Sequence, residues 1–136
     1  MAEAAFKREA QRLSLEVRVD SAGTGDWHIG KPPDPRAQAE TMRHGIDISG
    51  YRARQAAPDD FHTFTHIFAL DHDNLADLGS IAPPGGSARL SLLLDHVAGL
   101  EGQSVADPYF GGDEGFAETW KQVSRAAQAL VDLFKT

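Results

Sequence analysis

Asp107-Pro108-Tyr109-Phe110 places a carboxyl group and two rings in a loop ahead of the last helix, in a chain that contains no cysteine. A carboxylic acid can protonate a leaving group if a nearby anion keeps it above its ordinary pKa of about 3.9. Taken alone, Asp-Pro is also a common turn starter. Upstream, Gly23-Thr-Gly-Asp-Trp27-His-Ile-Gly-Lys-Pro-Pro-Asp-Pro-Arg36 reads as an aromatic-bearing loop running into a helix. Trp27 by itself fits a partly buried loop anchor as well. The histidines invite a metal reading, since His62 and His66 would align on a helix. A strand is expected to begin near His66, however, and that separates them. Asp71-His72-Asp73 suits a helix cap better than a zinc site. Arg52 and Arg54 read as a surface pair rather than an anion patch. No metal or cofactor is expected.

The bulk numbers narrow the classes. A length of 136 residues fits one domain, residues 1–136, able to bury about two-thirds of the surface its unfolded chain exposes. With 13 basic against 20 acidic residues, the net charge of −7 argues against nucleic acid or an anionic membrane as partner. No apolar run reaches the roughly 18 residues of a membrane span. Met1 to Leu13 is charged and amphipathic, without the apolar core of a signal peptide, so a cytoplasmic location is expected. The absence of cysteine removes disulfides, thiolate metal sites and a thiol nucleophile.

The elements that must position these residues follow from spacing. Ala2 to Leu13 is rich in helix formers, with Ala5, Phe6, Ala10 and Leu13 on one face and no capping residue ahead of it. Leu15, Val17 and Val19 alternate with polar residues, the pattern of a half-buried strand. Ser21 to Pro33 is a loop. Asp34 caps a helix with Pro35 at its first position, running to His44 and closed by Gly45. Residues 46–57 are expected to be irregular, and Pro58-Asp59-Asp60 opens a short helical turn. His66 to Leu70 reads as a buried strand, Asp71 to Leu78 as a short helix, Ile81 to Ser87 as a loop, and Ala88 to Leu94 as a third strand. Leu92-Leu93-Leu94 alone does not separate strand from helix. In the last helix Phe116, Trp120, Val123, Ala127, Leu130 and Phe134 follow one face. Strands alternating with helices predict a parallel sheet covered on both faces.

Across essentially the whole chain the sequence resembles the low-molecular-weight protein-tyrosine phosphatases. The most specific segments are Gly25 to Arg36 and Ala106 to Phe110. That family attacks phosphate with a cysteine held in a Cys-x5-Arg-Ser-Pro loop, followed by a helix beginning close to Met-Ala-Glu-Ala, as at Met1-Ala2-Glu3-Ala4 here. The related arsenate reductases share the fold and also depend on cysteines. The resemblance implies a three-layer helix/parallel sheet/helix, Rossmann-like α/β fold of the phosphotyrosine phosphatase I type. It also implies that the first strand and phosphate-binding loop are missing from this chain, which would be N-terminally incomplete. Asp107 corresponds to the general acid. Trp27 and Tyr109 correspond to walls for a phosphotyrosine ring, and Phe110 stands where some members carry a second tyrosine. Ser21 and Asp71 match positions that support the catalytic loop. The nucleophilic Cys and the phosphate-binding Arg have no counterpart.

Three readings stand open. One is a phosphotyrosine or aryl phosphate phosphatase read from an internal methionine, inactive as given. The second is a non-catalytic binding or dimerising short form, and the third an unrelated small-molecule enzyme using Asp107, Asp71 and the histidines. A missing central strand would leave unpaired backbone groups on its neighbours. Such groups are costly when buried and template pairing with another chain, so a homo-oligomer built by strand or helix exchange is expected.

Overall fold

The apolar stripe of the last helix organises the molecule. The structure is a computed structural model and describes residues 1–25, 29–105 and 112–134, with only the backbone of 112 and 113. Its elements run α1 (Ala2–Arg12), α2 (Pro35–Arg43), α3 (Asp60–Thr63), β1 (His66–Ala69), α4 (His72–Ile81), β2 (Arg89–Leu92), a 3-10 turn (Leu93–His96) and α5 (Gly112–Phe134). None of these helices is long and apolar enough to cross a membrane.

β1 and β2 pair in parallel, with His66 beside Arg89 and Ala69 beside Leu92. The period-2 alternation of side chains then splits the core into two layers. Ile67, Ala69, Leu90 and Leu92 pack with Leu75 and Leu78 of α4 and with Phe61 of α3. Phe68 faces the other way, into the larger cluster built on Trp120, Val123, Ala127 and Leu130 of α5, together with Ala5, Leu93 and Leu94. Helices therefore cover both faces of a parallel sheet, the α/β architecture expected.

The first helix is uncapped by any side chain, as expected, and burial pushes its Met1 α-amine below the usual value despite the nearby Glu3 carboxylate. Its buried face differs from the expected one. Ala4, Ala5, Glu9 and Ala10 are buried, whereas Leu13 has left the helix and is exposed. Asp34 caps α2 by accepting from the Arg36 N–H at 2.7 Å, and Gly45 closes it in the left-handed region with φ of 81°. The expected loops at 46–57 and after α4 are present, although Ile48 is buried at 1 % exposure.

The expected strand at Leu15–Val19 is absent. The segment is not assigned to a ladder, and Val17 is exposed. Alternation supplies one apolar edge, but a strand also needs a neighbour for its N–H and C=O groups, and no described segment pairs with 15–19. The chain pairs only farther on, where a single parallel bridge joins Gly23 to Gln55. The third expected strand is shorter than Ala88–Leu94. The Asp95 carboxylate accepts from the Leu92 N–H at 3.2 Å and the Gly102 N–H at 2.8 Å, drawing Leu93–His96 into a 3-10 turn. That turn carries Leu93 and Leu94 from the sheet into the α5 layer.

Leu94 is 0 % exposed at the junction of sheet and α5, so Leu94→Ala should cost about 2–5 kcal/mol of unfolding free energy. Met42, at 54 % exposure, should tolerate alanine within about 0.5 kcal/mol. Urea denaturation of the two variants measures the difference, and equal losses would contradict this packing.

Candidate functional site

Functional groups in open α/β folds gather beyond the carboxyl ends of the strands. Here that end of β1 leads through Leu70 to Asp71. Asp71 takes an extended conformation and its carboxylate accepts from the Asn74 N–H at 2.7 Å, so it caps α4 as expected. Asn74 is not among the residues that sequence patterns single out. Its side-chain amide donates to Thr24 Oγ1 at 3.4 Å, joining the first turn of α4 to the Gly23–Gly25 turn. The only signal for it was its place three residues after the cap. A small cleft of about 200 Å3 lies there, lined by residues including Thr24, Ile29, Arg54 and Asn74.

The same turn of α4 anchors a second segment. The His72 N–H donates to Ser104 Oγ at 3.2 Å, and its ring Nε2 meets the Gly102 carbonyl at 2.8 Å. One residue on, the Val105 N–H donates to the Leu70 carbonyl at 2.8 Å. The chain entering 26–28 and the chain entering 106–110 are thus fastened to one place. Trp27, Asp107, Tyr109 and Phe110 themselves lie outside the described residues.

Ser21 faces a different partner. Its hydroxyl donates to Glu3 Oε1 at 2.6 Å, and the other Glu3 oxygen accepts from Lys7 Nζ at 2.6 Å. The Glu3 hydrogen bond holds the Lys7 ammonium above its usual value, and Lys7 Nζ sits 5.2 Å from the centre of the Tyr51 ring. Glu3 went unrecognised because its only sequence signal is an acid in a first helical turn, which is common.

Arg52 and Arg54 are both engaged. Arg52 donates to the carbonyls of Ser49 and Tyr51, and Arg54 bridges Asp20 and Asp60 at 3.1 Å each. Burial alone would raise the Asp60 carboxyl, but the Ala57 N–H and Arg54 outweigh it and hold it below the ordinary range. His62 falls in α3 and His66 in β1, so they share no helical face, as expected. Among the described residues no three metal-ligating side chains converge.

A model of the family described as low molecular weight phosphotyrosine protein phosphatase matches residues 1–136. The phosphatase of that description from Schizosaccharomyces pombe is 37% identical over 126 residues, covering 90% of this chain and 80% of the relative. The crystal structure of Primo-1 superposes with a TM-score of 0.92 at 33% identity, covering 99% of this chain and 89% of that one. DARP, a drosophila arginine phosphatase, superposes with a TM-score of 0.91 at 30% identity, covering 99% and 88%.

The lowered Asp60 pKa sets a sign for acid stability. Its contribution is present above the unfolded carboxyl value of about 3.9 and is lost as pH falls through the lower folded value. Asp60→Asn should therefore be less stable than wild type at pH 7, and the two should converge as pH drops below about 4. Urea midpoints across that range measure this, and a constant gap would remove Asp60 from the linkage.

Proposed function

The chain belongs to the low molecular weight phosphotyrosine protein phosphatase family, and on that premise we propose that its residues supply the general acid and the ring-binding walls for hydrolysis of phosphotyrosine and aryl phosphate monoesters. The match over residues 1–136, with Asp107-Pro108-Tyr109 inside it, carries the reading. The fastening of both flanking segments to the first turn of α4 supports it, because it leads them toward one site.

In this reading a cysteine thiolate attacks phosphorus, the bond to the phenolic oxygen breaks, and that oxygen takes the Asp107 proton. Trp27 and Tyr109 hold the departing ring between flat surfaces. Asp71, by capping α4, and Ser21, by its bond to Glu3, hold the segments around the reacting loop. The 136 residues contain no cysteine, so by themselves they cannot form the phosphocysteine. A thiolate nucleophile favours a reducing compartment, hence the cytoplasm. No cofactor enters these steps.

The 136-residue chain should show no turnover of p-nitrophenyl phosphate above background, since Asp107 alone offers at best about 10²–10⁴-fold help. A longer polypeptide carrying a strand and Cys-x5-Arg-Ser-Pro immediately before Met1 should hydrolyse aryl phosphates. In that protein Asp107→Asn should lower kcat far more than it raises KM. Robust turnover by the 136-residue chain, or an unchanged kcat in the Asp107→Asn variant of the longer one, would sink the assignment. The likeness to the arginine phosphatase makes phosphoarginine the comparison substrate; a preference for it would remove the aryl specificity and leave the acid role standing.

The sheet supports a second expectation for the 136-residue chain. Among the described residues β1 pairs only with β2, and 16–19 lie in no ladder, which leaves a strand edge open to pairing. We propose that copies of this chain associate by exchanging a strand or helix at this edge. Light scattering should give a mass above that of the monomer, and a stable monomer in dilute solution would overturn the idea.

A further inference from the structure

The amino ends of β1 and β2 carry a polar cluster on the face that α5 covers. By the register, His66 and Arg89 are neighbours across the two strands, and Ser91 follows Arg89 on the same face. A sheet face under a helix is ordinarily apolar, and the opposite face obeys that rule with Ile67, Ala69, Leu90 and Leu92. Here the face holds Phe68, with His96 edge-on to it at 5.2 Å and Ser91 Oγ 3.0 Å from the His96 ring nitrogen. His66 meets the Phe134 ring edge-to-face at 4.7 Å. A cleft of about 500 Å3 opens beside it, lined by Thr65, His66, Ser87, Arg89, Leu133 and Phe134.

Among the described residues the charge lining this cleft is one-sided. Among the described residues no carboxylate pairs with Arg89. Burial, then the positive charge of Arg89 and of His96, push the His66 ring below its usual value. Thr65 Oγ1 engages His66 Nδ1 at 3.0 Å. What remains is a single guanidinium, the other ring nitrogen of His66 and the Ser87 hydroxyl. Beside them lie the Phe134 ring and Leu133, the latter 50 % exposed.

We propose that this cleft is a binding site for a small monocarboxylate carried on a flat apolar body, with the carboxylate on Arg89 and the body against Phe134 and Leu133. A guanidinium presents two parallel N–H groups to a carboxylate, the geometry of the stronger charged hydrogen bonds. One guanidinium matches one carboxylate, which favours a monocarboxylate over a dianionic phosphate. The volume falls within the range of small-molecule pockets. The site lies at the opposite end of β1 from Asp71 and is independent of the phosphatase reading.

The test is a 15N–1H NMR titration of the 136-residue chain with sodium phenylacetate, with phenylacetamide as the neutral isostere. Saturable shifts should centre on residues 65–66 and 87–89, with affinity in the millimolar range expected for so small a ligand. Arg89→Ala, whose side chain is exposed, should weaken binding about tenfold or more, and Arg89→Lys should fall between. The proposal is overturned by any of four results. These are no saturable shift up to about 50 mM, equal shifts from phenylacetamide, affinity unchanged in Arg89→Ala, or shifts centred on residues 20–25 and 71–75. The last would place the anion at the family's site instead and leave the phosphatase reading intact.

Discussion

Burial of one stripe of α5 is the constraint on which the remaining structure depends. Phe116, Trp120, Val123, Ala127 and Leu130 are each buried to 5 % exposure or less, and α1, α2 and the 3-10 turn all pack on this helix. Trp120 is the meeting point. The His44 ring stacks on it with centroids 4.5 Å apart, and the Arg8 guanidinium lies 5.1 Å from its ring. A large indole buries more area than any other side chain, and both contacts draw on its π-face. Elements distant in sequence are thereby held to a single helix.

Two buried carboxylates sit on α1 and α2, which pack against that helix. Glu9 and Glu40 are each 3 % exposed. Glu9 is met by Arg12 at 2.8 Å, and Glu40 by Arg43 at 3.2 Å and His44 at 2.9 Å. A buried charge is costly without a partner and close to neutral with one. Arg12, Arg43 and His44 each sit one helical turn farther on, and Arg8 adds a contact to Glu9 at 3.9 Å, so local spacing supplies the partners of both charges.

The candidate site depends on a smaller device at the other end of β1. Asp71 caps α4, and the freed first turn then holds Thr24 through Asn74 and Ser104 through His72. A helix N-terminus has N–H groups without intrahelical partners, so it readily fastens passing loops. Loops gain function when a rigid element positions them. The buried layer beneath, Phe61, Ala69, Leu78 and Leu92, supplies that rigidity.

Sequence alone determined the elements whose signals are local. Asp34-Pro35 and Gly45 bound α2, Asp71 starts α4, and the three-and-four spacing from Phe116 marks α5, because caps and periodicity act within a few residues. The family was legible for a similar reason, in the Trp27 and Asp107 segments, whose residues lie outside those the structure describes. Tertiary structure alone decided the rest. Leu15–Val19 has the alternation of a strand, yet ladder partners come from elsewhere in the chain, and no described segment supplies them. Ser21 turned to Glu3, and Arg54 to Asp20 and Asp60, across separations that no local pattern encodes. Pairing of strands and of distant charges is a property of the folded topology, and spacing along the chain carries no record of it.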